Sequence, residues 1–491
     1  MNTAFILIPI LLPIIFGAIL LWKPIEDDHK RNLAVETLVI INTIIAMVLI
    51  LNPPADRLEL FRLVGDLSIS FKLDGMARVF GGMVACLWPL ASLYAFDYMS
   101  HEERKNTFFA FYTMTFGVTL GIAFSGDLIT MYLCYEMLTL VTLPLVIHTM
   151  TEEAKQAAKM YLYYMIGGTA FAFMGIVYLT MHAENVNFTY GGILSPELAT
   201  SGSFVMLLMY LFMFGGFGVK AAVFPFQKWL PAASVAPTPV TALLHAVAVV
   251  KSGVYAIMRV TYFCFGADTL KGTWVQYVVM ALAMITICYG STMGVKELHF
   301  KRRLAYSTIS NLSYILLAVT AMSPLGLVAA LTHMLFHAVT KISAFFCAGA
   351  VMHRSDKNYI YELDGMGYKM PFTFATLLID GLSLTGIPLF AGFISKWNIA
   401  AALLDDKSPL AVAAIVVLLY SALMTGIYMM TIIFRAFFPK VGYDESNLAH
   451  IHPGNWRMRV PLAAFSIAIF YFGLHAQPVI DLAEKIAAGL M

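Results

Sequence analysis

The sequence predicts an all-α polytopic membrane protein of about fourteen transmembrane helices, with two inverted five-helix repeats that each hold a broken helix. Three observations carry this. Of the 491 residues 60% are hydrophobic and only 12% charged, with a mean hydropathy of +0.78, far from the balance of a water-soluble domain. Apolar runs long enough to cross a bilayer recur from one end to the other. Two of those runs are interrupted by glycine and proline next to a lysine. Hydrocarbon offers no water to backbone groups, so runs of this length must be helices; barrel strands would be about ten residues of alternating pattern.

In order, the runs lie near 3–22, 33–51, 76–96, 108–124, 127–148, 160–181, 203–225, 236–260, 274–294, 303–323, 325–351, 372–404, 409–434 and 458–476, the twelfth long enough to hide a break. The first is followed by KPIEDDHKRN and a second span, with no small-residue cleavage pattern, and reads as a retained helix rather than a signal peptide. The longest connections leave no room for a soluble domain between the spans. Cys86, Cys134, Cys264, Cys288 and Cys347 are scattered singly in apolar runs, a spacing that supports neither an iron–sulfur cluster, a zinc site nor a disulfide framework. GFGVKA superficially matches a dinucleotide fingerprint but lies in a span and follows no strand, and no Walker A sequence occurs. No cofactor, no metal and no nucleic-acid partner is expected.

Lysine and arginine are unevenly shared between the loops. Alternate connections beginning with 23–32 hold eighteen, against six on the other side (Arg57, Arg62, Lys72, Lys271, Lys407 and Lys485). The positive-inside rule places the first set in the cytoplasm and both termini outside the cell membrane.

Seven basic residues remain inside the spans. Arg78, Arg259 and Arg435 sit near ends, where they can snorkel to the interface. The others are Lys220, Lys251, Lys341 and Lys396. At about 2.5 to 3.5 kcal/mol each, four midspan lysines cost about 10 to 14 kcal/mol. A buried lysine, unlike arginine, can release its proton, so this choice points to proton exchange. Glu136 is the acidic counterpart, and Asp380 is a second acid. A bland reading stands beside each: Glu136 could pair with a lysine to hold two helices together, and Asp380 could cap a helix break. His245, close before Lys251, is a further accessory candidate alongside Asp380.

In HMLFHAVTKISAFF, His333, His337 and Lys341 recur every four residues, which stacks them in one sector of a helix. Three readings are open. Zinc lacks an evident third ligand and meets an opposing lysine. Satisfied core histidines are the second reading. A proton relay is favoured, because imidazole accepts on one nitrogen and donates from the other.

In FGGFGVKAAVFPFQKWLP, Gly218 precedes Lys220 and Pro225 follows; in LTGIPLFAGFISKW, Gly386 and Pro388 precede Lys396. Both interruptions free carbonyls beside a buried lysine. The two lysines fall on about the seventh and twelfth segments, an offset that two five-helix units would satisfy. The expected division is 1–106 for helices 1–3, 107–265 and 266–440 for the two repeats, and 441–491 for a last helix and tail.

The strings GVKAAVFPFQKWLPAASVAPTPVTALLHA, KRRLAYSTISNLSYI, HMLFHAVTKISAFFCAGA and LTGIPLFAGFISKW, with FKLDGMARVF and LITMYLCYEMLTL upstream, resemble the antiporter-like subunits of the complex I membrane arm and their Mrp antiporter relatives. The likeness spans about 70 to 435. It implies that Glu136 pairs with the central Lys220 of a broken seventh helix and that Lys251 bridges the halves. It further implies that His333, His337 and Lys341 form the polar face of the eleventh helix and that Lys396 ends the row on a broken twelfth. Protons would reach Lys220 from the cytoplasm under the control of Glu136, pass Lys251 to His337 and Lys341, and leave through Lys396. The expected partners are other membrane subunits of a Mrp, complex I-like or membrane-bound hydrogenase complex, together with lipid and protons, Na⁺ being left open. A stand-alone secondary antiporter and a non-pumping scaffold of a respiratory or hydrogenase complex are the rivals. Gln227 and Ser234 replace two family histidines, and Pro388 is followed by Leu389 where a double proline is usual. The chain lacks the long lateral helix of the largest complex I subunit, which points to the shorter, Mrp D-like kind.

Overall fold

A computed structural model describes residues 2–65, 67–440, 448 and 451–491. The first helices are α1 (Ile8–Trp22, entered through a 3₁₀ turn at Thr3–Leu7) and α2 (Asp28–Leu51), followed by α3 (Gly75–Tyr98), α4 (Lys105–Ala123), α5 (Leu128–Val146) and α6 (Glu152–His182). Then come α7 (Phe204–Gly218), α8 (Thr238–Phe265, with π-helical turns at Leu243–Val247 and Val260–Phe265), α9 (Trp274–Lys296), α10 (Phe300–Thr320) and α11 (Pro324–Ser355). The twelfth span is split into α12 (Pro371–Thr385) and α13 (Ala391–Asp406); α14 (Pro409–Phe437) and α15 (Trp456–Leu474) follow, and a short α16 (Gln477–Ala487) closes the chain. All fourteen expected spans are helical, and ten of these helices are long and apolar enough to cross a membrane. The expected boundary at 440/441 borders residues outside the described set.

Helix starts are written in the sequence. Asp27, Asp74, Asp127, Thr151, Ser323 and Ser408 each accept a first-turn backbone N–H, capping α2, α3, α5, α6, α11 and α14. The whole apolar window of α8 and 94% of that of α11 are buried, against 28% for α14 and α15. These two helices form the axis of the bundle, and they carry Lys251 and the histidines.

The all-α expectation needs one correction. Leu58–Val64 (β1) and Leu67–Phe71 (β2) form an antiparallel hairpin with Leu58 opposite Phe71 and Arg62 opposite Ser68. Gly65, at φ +56°, turns the chain. The hairpin is seated on the bundle by Ser70 N donating to Thr130 Oγ1 at 2.8 Å and Lys72 N donating to the Phe124 carbonyl at 2.8 Å.

A second correction concerns Arg259, which does not snorkel. It is fully buried, and its guanidinium makes a two-pronged bond to Asp74 at 2.5 and 2.7 Å. Tyr255 OH accepts from it at 2.8 Å, and its plane lies 4.7 Å from the Phe188 ring. Arg435 lies against Asp364 at 3.4 Å.

Candidate functional site

Helix α7 ends at Gly218, and residues 219–228 run irregularly before a short turn of helix at Trp229–Ala232. This is the break expected around Gly218 and Pro225. Lys220 sits at its start, buried, with Nζ donating to the Tyr135 carbonyl of α5 and lying 3.4 Å from the centre of the Tyr135 ring. The loop can approach α8 closely because residue 253 is glycine. A Cβ there would stand 2.6 Å from Ala221 N and 3.0 Å from the Lys220 carbonyl carbon.

The expected direct pairing of Glu136 with Lys220 is not formed. Among the described residues Glu136 makes no ion pair, and its Oε1 is buried without a hydrogen-bond partner. The two charges remain within electrostatic reach. The cause is local geometry: the carbonyl and ring of Tyr135, the residue just before Glu136, already hold the ammonium.

The centre of the site is a contact row across the axis helices. Lys251 Nζ lies 2.5 Å from His337 Nδ1. The His337 and His333 rings stack 5.8 Å apart with planes 14° from parallel, as their four-residue spacing requires. His333 Nδ1 lies 2.9 Å from Ser395 Oγ on α13, next to Lys396 in sequence. Both histidine Nε2 atoms are buried without protein partners.

Lys396 occupies the second break. Between α12 and α13 the chain turns through Gly386, at φ +91°, and Pro388. This frees the Leu384 and Thr385 carbonyls, which accept from Lys396 Nζ at 2.5 and 3.1 Å. Tyr314 of α10 presents its ring 5.0 Å from the same nitrogen.

Lys341 departs from the expected order. It lies on the helix of the histidines, but its Nζ donates to Ser307 Oγ on α10 at 2.8 Å. Asp380 is not a cap. It lies within α12, fully buried, with Cys347 Sγ at 3.9 Å from Oδ2 and Oδ1 unpartnered. His245 stands in a π-helical turn, where the Phe345 ring lies 4.8 Å from its own and neither nitrogen has a well-formed hydrogen bond.

Sequence reasoning missed Tyr135, Ser307, Ser395 and Glu36. The first three are neutral, and their types carry no signal until a lysine or histidine is placed beside them. Glu36 had a signal, an acid within the 33–51 run. Ser92 Oγ donates to its carboxylate.

A row of buried bases and imidazoles strung between two interrupted helices defines a class: a multi-pass, antiporter-like membrane bundle. The particular family is the one described as NADH:quinone oxidoreductase/Mrp antiporter, transmembrane, which matches residues 125–425, and the chain belongs to it. Among its relatives, a probable K(+)/H(+) antiporter protein of Rhizobium meliloti (strain 1021) is 29% identical over 412 residues, 83% of this chain and 40% of that protein. The chain thus spans less than half the length of that relative. NADH-quinone oxidoreductase subunit N of Desulforudis audaxviator (strain MP104C) is 30% identical over 428 residues, 84% of this chain and 83% of that one. A chain of the Mrp complex from Dietzia sp. DQ12-45-1b shares the fold, with a TM-score of 0.85 over 100% of this chain and 98% of its own at 19% identity.

Proposed function

We propose that this chain moves protons across the cell membrane as one subunit of a larger complex of the Mrp or complex I-like kind. The observation that carries the reading is the continuous contact from Lys251 through His337 and His333 to Ser395, which joins one interrupted helix to the other. Each imidazole in such a row takes a proton on one nitrogen and gives one up from the other.

In this reading a proton arrives at Lys220 and passes to Lys251, whose helix packs on the Lys220 turn at Gly253. It then crosses the imidazoles to Lys396. The near but unbonded carboxylate of Glu136 acts as the switch, drawing the Lys220 ammonium toward itself in one state and leaving it on Tyr135 in the other. Residues 107–265 and 266–440 act as two repeats, and both termini face outward, as the loop charges favour. The driving reaction, whether sodium exchange, quinone reduction or hydrogen evolution, belongs to neighbouring subunits.

The test is proton movement in vesicles carrying the intact complex, wild type against Lys220→Ala at matched assembly, with and without sodium. Loss of pumping places Lys220 on the path or its switch, and a sodium requirement favours the Mrp branch. Unchanged pumping removes Lys220 from the mechanism and leaves a membrane scaffold as the function.

A further inference from the structure

The side chain of Lys341 leads away from the histidines and into a buried seam of hydroxyl groups between α10 and α14. Its Nζ donates to Ser307 Oγ at 2.8 Å. Tyr428 OH lies within reach of Ser307 and donates to Thr425 Oγ1 at 3.1 Å. Thr425 Oγ1 donates in turn to the Ser421 carbonyl at 2.7 Å. One turn further along α14, Tyr314 OH donates to Ser421 Oγ at 2.5 Å, and the Tyr314 ring is the one that faces Lys396. All five hydroxyl residues are fully buried.

We propose that this seam is a second proton route between Lys341 and Lys396, parallel to the imidazoles of His333 and His337. The proposal rests on the transport reading above. Each hydroxyl oxygen accepts a proton and releases the one it carried, so no net charge stays behind. The Ser421 carbonyl interrupts the protein hydroxyls. The rise from Thr425 to Ser421 is about 6 Å, a gap that one water bridges.

Charge placement keeps the seam internal. Arg303 Nη1 donates to the Tyr428 carbonyl at 3.0 Å, which sets a fixed cation at the loop end of α10 and repels a proton entering there. The charged groups facing Lys341 are Asp380 from α12, Lys251 and His245 from α8, and His337 on its own helix. A seam that served only packing would give Lys341 no reason to turn from the row it shares a helix with.

Proton uptake is measured in vesicles carrying the intact complex for Tyr428→Phe, for His333→Gln with His337→Gln, and for all three changes together, each at matched assembly. Parallel routes give losses of about threefold or less for either change alone, and a combined loss about tenfold larger than their product. A combined loss equal to or below that product overturns the proposal, since a single series path or an inert seam gives that result. So does a Tyr428→Phe protein that loses thermal stability while its rate per assembled complex is unaltered in both backgrounds. Lys220→Ala in the same membranes separates the two readings. If it pumps like wild type, the transport reading falls; if it abolishes pumping while the product rule holds, only the seam falls.

Discussion

Removing the Arg259 side chain strands a carboxylate at the membrane end of α3, and the cost can be worked from the geometry. In Arg259→Met, Asp74 loses both bonds at 2.5 and 2.7 Å. Breaking a buried pair by deleting one partner costs about 3 to 5 kcal/mol. Asp74 keeps 11% of its side-chain exposure, so water relieves part of its loss and the low end, about 3 kcal/mol, applies. Loss of the cation from the Phe188 and Phe263 faces adds about 1 kcal/mol. Asp74→Asn keeps an oxygen for the α3 cap, which Ala77 N uses at 2.9 Å, but strands a guanidinium that is fully buried. Its cost lies toward the upper end, about 4 to 5 kcal/mol. The double variant leaves no uncompensated charge, so the two losses fail to add by about 3 kcal/mol. Unfolding of the purified chain in mixed detergent micelles reads all three. Strict additivity, or a loss below about 1 kcal/mol for Arg259→Met, would refute the assignment of this pair as a buried lock between α3 and α8.

Other substitutions probe the two breaks. Gly386→Ala places a Cβ 2.9 Å from Lys396 Cδ at a residue whose φ is +91°. A loss of about 1 to 2 kcal/mol in stability and a displaced Lys396 are expected, with slower pumping per assembled complex in vesicles. Gly253→Ala drives a methyl into Ala221 N at 2.6 Å, so α8 must retreat from the Lys220 turn. Proton uptake should fall while a membrane-insertion assay stays normal, and unaltered uptake would show that the close approach is dispensable. Tyr135→Phe preserves the ring and carbonyl that hold Lys220 and should change pumping by less than about threefold, whereas Tyr135→Leu removes a cation–ring contact of about 2 kcal/mol and should slow it further.

Much of this was legible in the residues. Hydropathy gives every span, because each helix must satisfy its backbone within itself. The lysines and the four-residue spacing of His333 and His337 mark the row, since charged groups in a span are too costly to be incidental. Three things were not legible. The hairpin of β1 and β2 depends on Ser70 and Lys72 finding partners on α5 and after α4, which no local pattern encodes. Arg259 looked terminal because its helix continues through a π-helical turn that draws it inward. The side chain of Lys341 shares a helical sector with the histidines, yet its reach is set by where α10 offers Ser307.

The break beside Lys396 has an electrostatic consequence of its own. The Leu384 and Thr385 carbonyls belong to the last turn of α12, where aligned peptide dipoles sum to about half an elementary negative charge. Lys396 therefore meets a fractional counter-charge built from main chain, with no acid side chain among its hydrogen-bond partners. When the ammonium gives up its proton, nothing fully ionic is abandoned in the hydrocarbon, as a lone carboxylate would be. Folding has placed a half-charge that suits both forms of the lysine, and no substitution of a neighbouring side chain can remove it without unwinding the helix itself.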